Sequence, residues 1–107
     1  MHRHVEWDAP GAASVLHYYE HDPASYPEPR PGSILSARYR GRVVRMRVEA
    51  YVDGTSIGKV VAVIDPDTGE RRSGIDQLQL GDMVRLPDEW RAFEPAPPAG
   101  DAADAES

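Results

Sequence analysis

Cysteine is absent from the 107 residues. That removes disulfide frameworks, thiolate nucleophiles and Cys-ligated zinc, and it fits a reducing compartment, so a cytoplasmic location is expected. Histidine is missing from residues 33–93. Acid–base catalysis needs convergent carboxylates or a histidine beside a nucleophile, and with neither in evidence the chain is not expected to be an enzyme or to carry a cofactor. No apolar run approaches the roughly 20 residues that cross a bilayer. The opening Met-His-Arg-His-Val-Glu-Trp-Asp lacks an apolar signal core, so neither a secretory precursor nor a membrane span is expected. Large apolar residues are also missing after Phe93, where Pro, Ala, Gly and acids predominate. Such composition does not offset the entropy of ordering it, and residues 94–107 are expected to form a disordered acidic tail.

The charge that is present is uneven. Residues 1–32 hold two arginines against five acids, residues 33–86 nine Lys/Arg against seven, and residues 87–107 one arginine against six, within a total of −6. A basic middle is flanked by acidic ends, so a polyanion would meet an attractive patch in a repulsive whole. The acidic ends are themselves able to cover the patch.

One domain is all that this length supports. Residues 1–31 read as an N-terminal segment in which Pro23, Pro27, Pro29 and Pro31 make an extended linker or edge-hugging arm. Within it, Ala12–Glu20 reads as a helix of about two turns that packs through Val15, Leu16 and Tyr19, with a strand through Val15–Tyr19 as the alternative. Residues 32–93 show strand periodicity. Leu35, Ala37 and Tyr39 alternate with Ser36, Arg38 and Arg40; beyond Gly41 the phase inverts, and Val44, Met46, Val48, Ala50 and Val52 oppose Arg45, Arg47, Glu49 and Tyr51. A turn or bulge belongs near Arg40–Arg42 and a turn at Asp53–Ser56. Ile57–Ile64 suits a central strand buried on both faces, and Asp65–Gly69 is another turn. Ile75–Leu80 fits a helical turn or a strand, and Asp82–Leu86 a last strand ended by Pro87. The fold class expected is all-β: a small β-barrel or roll of five to six mostly antiparallel strands, with one short N-terminal helix on it and with Trp7, Trp90 and Phe93 anchoring the ends.

The candidate binding residues start with Arg38, Arg40, Arg42, Arg45 and Arg47, five guanidinium groups within ten residues. In a regular strand Arg38, Arg40 and Arg42 stand about 6–7 Å apart on one face and match a row of carboxylates or phosphates. The competing reading is a solvated face whose arginines pair with Glu49, Glu70 or Asp76. Nucleic-acid readers add exposed aromatics for stacking, and only Tyr51 has the right phase, so the expected partner is a protein with an acidic surface, or a small anion, with nucleic-acid binding through Arg38–Arg47 as an alternative. His2, His4, His17 and His21 match no established metal site, and Asp65–Gly69 lacks the glycine and side-chain ligands of a calcium loop, so no metal is expected.

Arg38-Tyr39-Arg40-Gly41-Arg42 fits an RxxxR element, and Asp53-Gly54-Thr55-Ser56-Ile57-Gly58 fits DxSxxG with Thr55 in place of serine. The pair resembles the cyclic di-GMP grip of PilZ domains, and Leu80–Leu86 resembles a closing strand of that family. The resemblance implies a small β-barrel receptor in which Arg38 and Arg42 take phosphates and guanines while Asp53, Thr55 and Gly58 line the opposing rim. A second likeness, Ile57-Gly58-Lys59-Val60 followed by Asp65 and Thr68-Gly69, is similar to PRC-barrel docking modules.

Overall fold

A computed structural model describes residues 4–94. His2 of the histidine set and residues 95–107 of the expected acidic tail lie outside the described residues.

The fold is all-β, mostly antiparallel. Three long strands form a meander: β1 (Ile34–Tyr39), β2 (Arg42–Val52) and β3 (Thr55–Ile64). Both connections are two-residue hairpin turns. Arg40 and Gly41 have φ of 52° and 77°, Asp53 and Gly54 of 51° and 76°, and such paired left-handed residues match the natural strand twist. After the turn at residues 65–69 come β4 (Arg71–Arg72), a small hairpin of β5 (Gly74–Ile75) and β6 (Leu78–Gln79), and β7 (Met83–Pro87). Thus the segment read as helical turn or strand is a strand pair. β3 is central: β2 covers one edge, while β7 pairs with Thr55–Lys59 and β4 with Val63–Ile64 on the other.

Two bulges set which side chains point inward. Arg45 lies opposite Ala62 but Met46 opposite Val60, leaving Val61 extra; Val48 lies opposite Gly58 but Ala50 opposite Ile57, leaving Glu49 extra. Each extra residue shifts the alternation by one. Val61 and Val52 therefore emerge 38% and 54% exposed, and β3 is not buried on both faces as its apolar run predicts. Leu35, Ala37, Val44, Met46, Val48, Val60, Val63, Val84 and Leu86 form the core, joined by Val5, Trp7 and Leu78. Trp7 is anchored as expected, and its indole N–H donates to the Arg85 carbonyl at 2.8 Å. Phe93, by contrast, is 42% exposed and meets Tyr18 edge-on.

The sheet does not close into a barrel. Instead, a 3₁₀ turn at Asp88–Trp90 brings the chain back along the free edge of β1, where Ala92 N–H donates to Ser36 O at 2.9 Å and Asp8 N–H to Arg38 O at 2.7 Å. These bonds satisfy carbonyls that an open edge would expose. The N-terminal helix, α1 (Val15–Tyr18), is one turn rather than two, preceded by a 3₁₀ turn at Gly11–Ala13. Ser14 divides them. Its backbone is extended to bridge Ala92, and its hydroxyl caps α1 by accepting from His17 N–H. The proline-rich arm hugs the fold, with Arg91 donating to the Tyr26 hydroxyl and to Pro27 O. Among the described residues no helix is long and apolar enough to cross a membrane.

Ser56 is wholly buried on β3, and its hydroxyl has no hydrogen-bond partner among the described residues. An unpaired buried hydroxyl carries its full desolvation cost. Ser56→Ala is therefore expected to stabilise the fold by about 1 kcal/mol, read as a raised urea midpoint with unchanged slope; a lowered midpoint refutes it.

Candidate anion-binding face

The arginine cluster does not form one ladder. Arg38 lies opposite Val43, Ser36 opposite Arg45 and Ile34 opposite Arg47, and residues directly opposite share a face. Arg38, Arg45 and Arg47 accordingly project from the outer face. Arg42, opposite Tyr39, points to the other side, and Arg40 sits in the turn. The expected row of Arg38, Arg40 and Arg42 fails because the hairpin turn falls inside it. Arg40 lies over the Tyr39 ring and 3.3 Å from Asp76; Arg42, only 30% exposed, reaches Asp65 at 3.9 Å. Both fasten turns to the sheet.

What the outer face binds is already visible within the chain. Glu94 lands on it, taking Nε and Nη2 of Arg45 at 2.7 and 2.8 Å, while Ser36 Oγ donates to the same carboxylate at 2.5 Å. Arg38 donates to the carbonyl of Phe93 at 2.9 Å. A fork gripping both carboxylate oxygens is the strongest form of this contact. The hydrogen bond from Arg45, opposed by partial desolvation and reinforced by Ser36 and by the positive charge of Arg71, holds the Glu94 carboxyl below the usual range. The charged form, and with it the clasp, is kept at any pH above the ordinary carboxylate range and is lost as pH falls through the depressed value. Sequence reading placed Glu94 in a disordered tail. Ordering it takes an arginine fork and a hydroxyl from two different strands, which no local pattern reveals.

Three further cations join the face. Lys59 lies directly opposite Arg47, Arg85 lies opposite Ile57 and so one diagonal step from Lys59, and Arg71 continues the row of Arg38, Val43 and Ile64. From β1 to β7 this makes a continuous diagonal of Arg38, Arg45, Arg47, Lys59 and Arg85, with neighbours about 5–8 Å apart. Strand phase alone marks Lys59 and Arg85, each flanked by inward residues. Their alignment with Arg47 depends on the pairing register and the bulges. Like charges directly opposite on a sheet are unfavourable, and the nearest acid to Arg47 is Glu49 at 3.9 Å.

The other candidate residues lie elsewhere. Asp53 is in the second hairpin turn, Thr55 opens β3, and Gly58 is buried in β3 against Arg47 and Met46. β2 is eleven residues long, which at the usual rise puts Arg42 and Asp53 roughly 30 Å apart. The two elements of the PilZ resemblance are not brought together. Tyr51, the expected stacking residue, instead donates its hydroxyl to Asp88 at 2.5 Å. His17 and His21 both approach Glu20, at 3.1 and 3.8 Å, and no group of three metal-ligating side chains converges among the described residues.

Fold and face together define a small all-β protein with a basic outer sheet face, partly clasped by its own carboxylate. The chain matches no protein-family model, no curated protein and no solved structure.

Proposed function

We propose that this protein is a non-enzymatic binding module that docks an acidic segment of a partner protein on its outer sheet face. The observation that carries the reading is the Arg45 and Ser36 grip on Glu94: the face holds a carboxylate of its own chain in bidentate geometry. Around it, Arg38, Arg47, Lys59 and Arg85 extend the positive surface across four strands, enough for several acidic side chains in succession. Glu94 then acts as an internal competitor. An incoming acid has to displace it, so the affinity of the resting chain is held down.

Two other ligands are weaker fits. RNA would find no stacking aromatic on the strands themselves, because Tyr39 packs inward and Tyr51 is bonded to Asp88, which among the described residues leaves only Phe93 and Tyr18 at the margin of the face. Cyclic di-GMP would have to bridge elements at opposite ends of β2. The test is an amide NMR titration of the full chain near physiological salt with three probes: a short Glu-rich peptide, a single-stranded RNA and cyclic di-GMP. The expected result is saturable shifts at Ser36, Arg38, Arg45, Arg47 and Lys59 with the peptide. A silent face with the peptide, or saturation by cyclic di-GMP alone, overturns the reading.

A further inference from the structure

We propose that a second pocket, walled by Tyr19, Tyr26 and Tyr51, is a binding site for an organic cation bearing an alkylated ammonium group. It lies between α1, the proline-rich arm and the end of β2, away from the arginine face, and has a volume of about 320 Å³. The Tyr19 and Tyr26 rings stand at 76° with centroids 6.0 Å apart, two walls close to a right angle. Tyr51 contributes a third aromatic surface, and the only charged residues in the lining are Glu20, Glu28 and Asp88.

Each feature selects the same chemistry. Aromatic faces are electron-rich and attract cations, most strongly where water is displaced, and cages of rings are the usual receptors for methylated ammonium groups. Tyr26 already meets a cation from outside the lining, the Arg91 guanidinium, 5.3 Å from its centroid and donating to its hydroxyl at 2.8 Å, a single positive charge that the three lining carboxylates outnumber. The three carboxylates repel anions and add attraction for a positive charge. Glu20 is approached by His17 and His21, so Glu28 and Asp88 carry most of that attraction. Asp88 accepts from Tyr51 through Oδ2, while its buried Oδ1 has no hydrogen-bond partner among the described residues. Burial, together with the hydrogen bond to Asp88 and its charge, raises the Tyr51 hydroxyl pKa well above its ordinary value. Three aromatic faces suit an alkylated ammonium, which needs no hydrogen-bond acceptor, better than a bare ammonium, which brings three donors to satisfy. A volume near the lower end for ligand pockets suits such a head group, and the three carboxylates disfavour a phosphate.

The experiment follows the tyrosine ring signals of the full chain by NMR while adding tetramethylammonium, a peptide carrying trimethyllysine, or the same peptide with a neutral neohexyl isostere. The expected result is saturable shifts of Tyr19, Tyr26 and Tyr51 with both cations, and binding of the charged peptide about tenfold tighter than its neutral isostere. Glu28→Gln, an exposed change that leaves the fold intact, and Tyr19→Leu each weaken the cation severalfold without moving the Arg45 and Glu94 signals. A peptide that binds more tightly than tetramethylammonium assigns the site to a modified side chain of a partner; equal affinity assigns it to a free small cation. Equal binding of the charged and neutral peptides, or no saturable shift, overturns the proposal.

Discussion

Gly58→Ala is expected to cost the protein about 3 kcal/mol of stability or more. Gly58 sits inside β3 opposite Val48, beside the Glu49 bulge that tightens the approach of β2. A methyl group there would press on the carbonyl oxygen of Arg47 while lying 2.9 Å from its carbonyl carbon and 3.0 Å from Met46 Cε. Two of these three atoms are backbone in the sheet's central pairing and have nowhere to move. Gly54→Ala is the control. Its φ of 76° is strained for alanine, yet the nearest outside atom is Asp88 Oδ2 at 3.9 Å, so a loss of about 1 kcal/mol is expected. Urea unfolding of the two variants measures the difference. A Gly58→Ala protein as stable as wild type would refute the close approach of β2 as the reason for the glycine.

The same glycine shows where the sequence stops being legible. In a one-dimensional reading, Asp53-Gly54-Thr55-Ser56-Ile57-Gly58 looks like a single element with one purpose. In the fold it splits into a hairpin turn at Asp53–Gly54 and a strand whose glycine is set by the neighbouring strand. The turns and three long strands were readable because Gly and Asp at left-handed positions, and apolar alternation, are local properties. The outer face was half readable: Arg38, Arg45 and Arg47 follow from phase. Arg40 and Arg42 leave the expected row because Arg40 and Gly41 form the turn that reverses the chain. Lys59 and Arg85 were missed because their place beside Arg47 is fixed by register across β2, β3 and β7. The end of β2 was misread for a related reason. Glu49 bulges out, so Tyr51 turns toward Asp88 and Val52 toward solvent. A bulge leaves no mark in composition, and every residue beyond it changes face.

Electrostatics gives the outer face its meaning. Elsewhere in the molecule arginines have partners close by: Arg40 with Asp76, Arg42 and Arg72 with Asp65, Arg91 with Tyr26 and Pro27. The diagonal has partners too, Phe93 O for Arg38, Glu94 for Arg45 and Glu49 for Arg47 at 3.9 Å, yet there Arg47 and Lys59 also stand directly opposite each other with the same charge. A sheet selected for stability alone places opposite charges at such a pair.

Lys59→Glu should therefore strengthen the fold and weaken the function. The new carboxylate lies opposite Arg47, turning a repulsive cross-strand pair into an attractive one, for an expected gain of about 0.5 kcal/mol, discounted for exposure. For an acidic segment crossing from Arg45 toward Arg85, the same change removes one attraction and inserts a repulsion in the middle of its path, so affinity for a Glu-rich peptide should fall about tenfold. The salt dependence of binding should flatten too, since one fewer cation is engaged. Glu94→Gln is expected to act in the opposite sense. It weakens the internal competitor and raises peptide affinity by roughly two- to fivefold, within the range of an exposed ion pair. Calorimetric titration at two salt concentrations, paired with urea unfolding, reads both quantities on the same samples. If Lys59→Glu leaves peptide affinity unchanged, the diagonal is not the docking path; if it destabilises the protein, Lys59 is held by contacts other than its neighbour Arg47. A more stable protein that binds less well would identify the like-charged pair as a feature kept for the partner, at the expense of the fold.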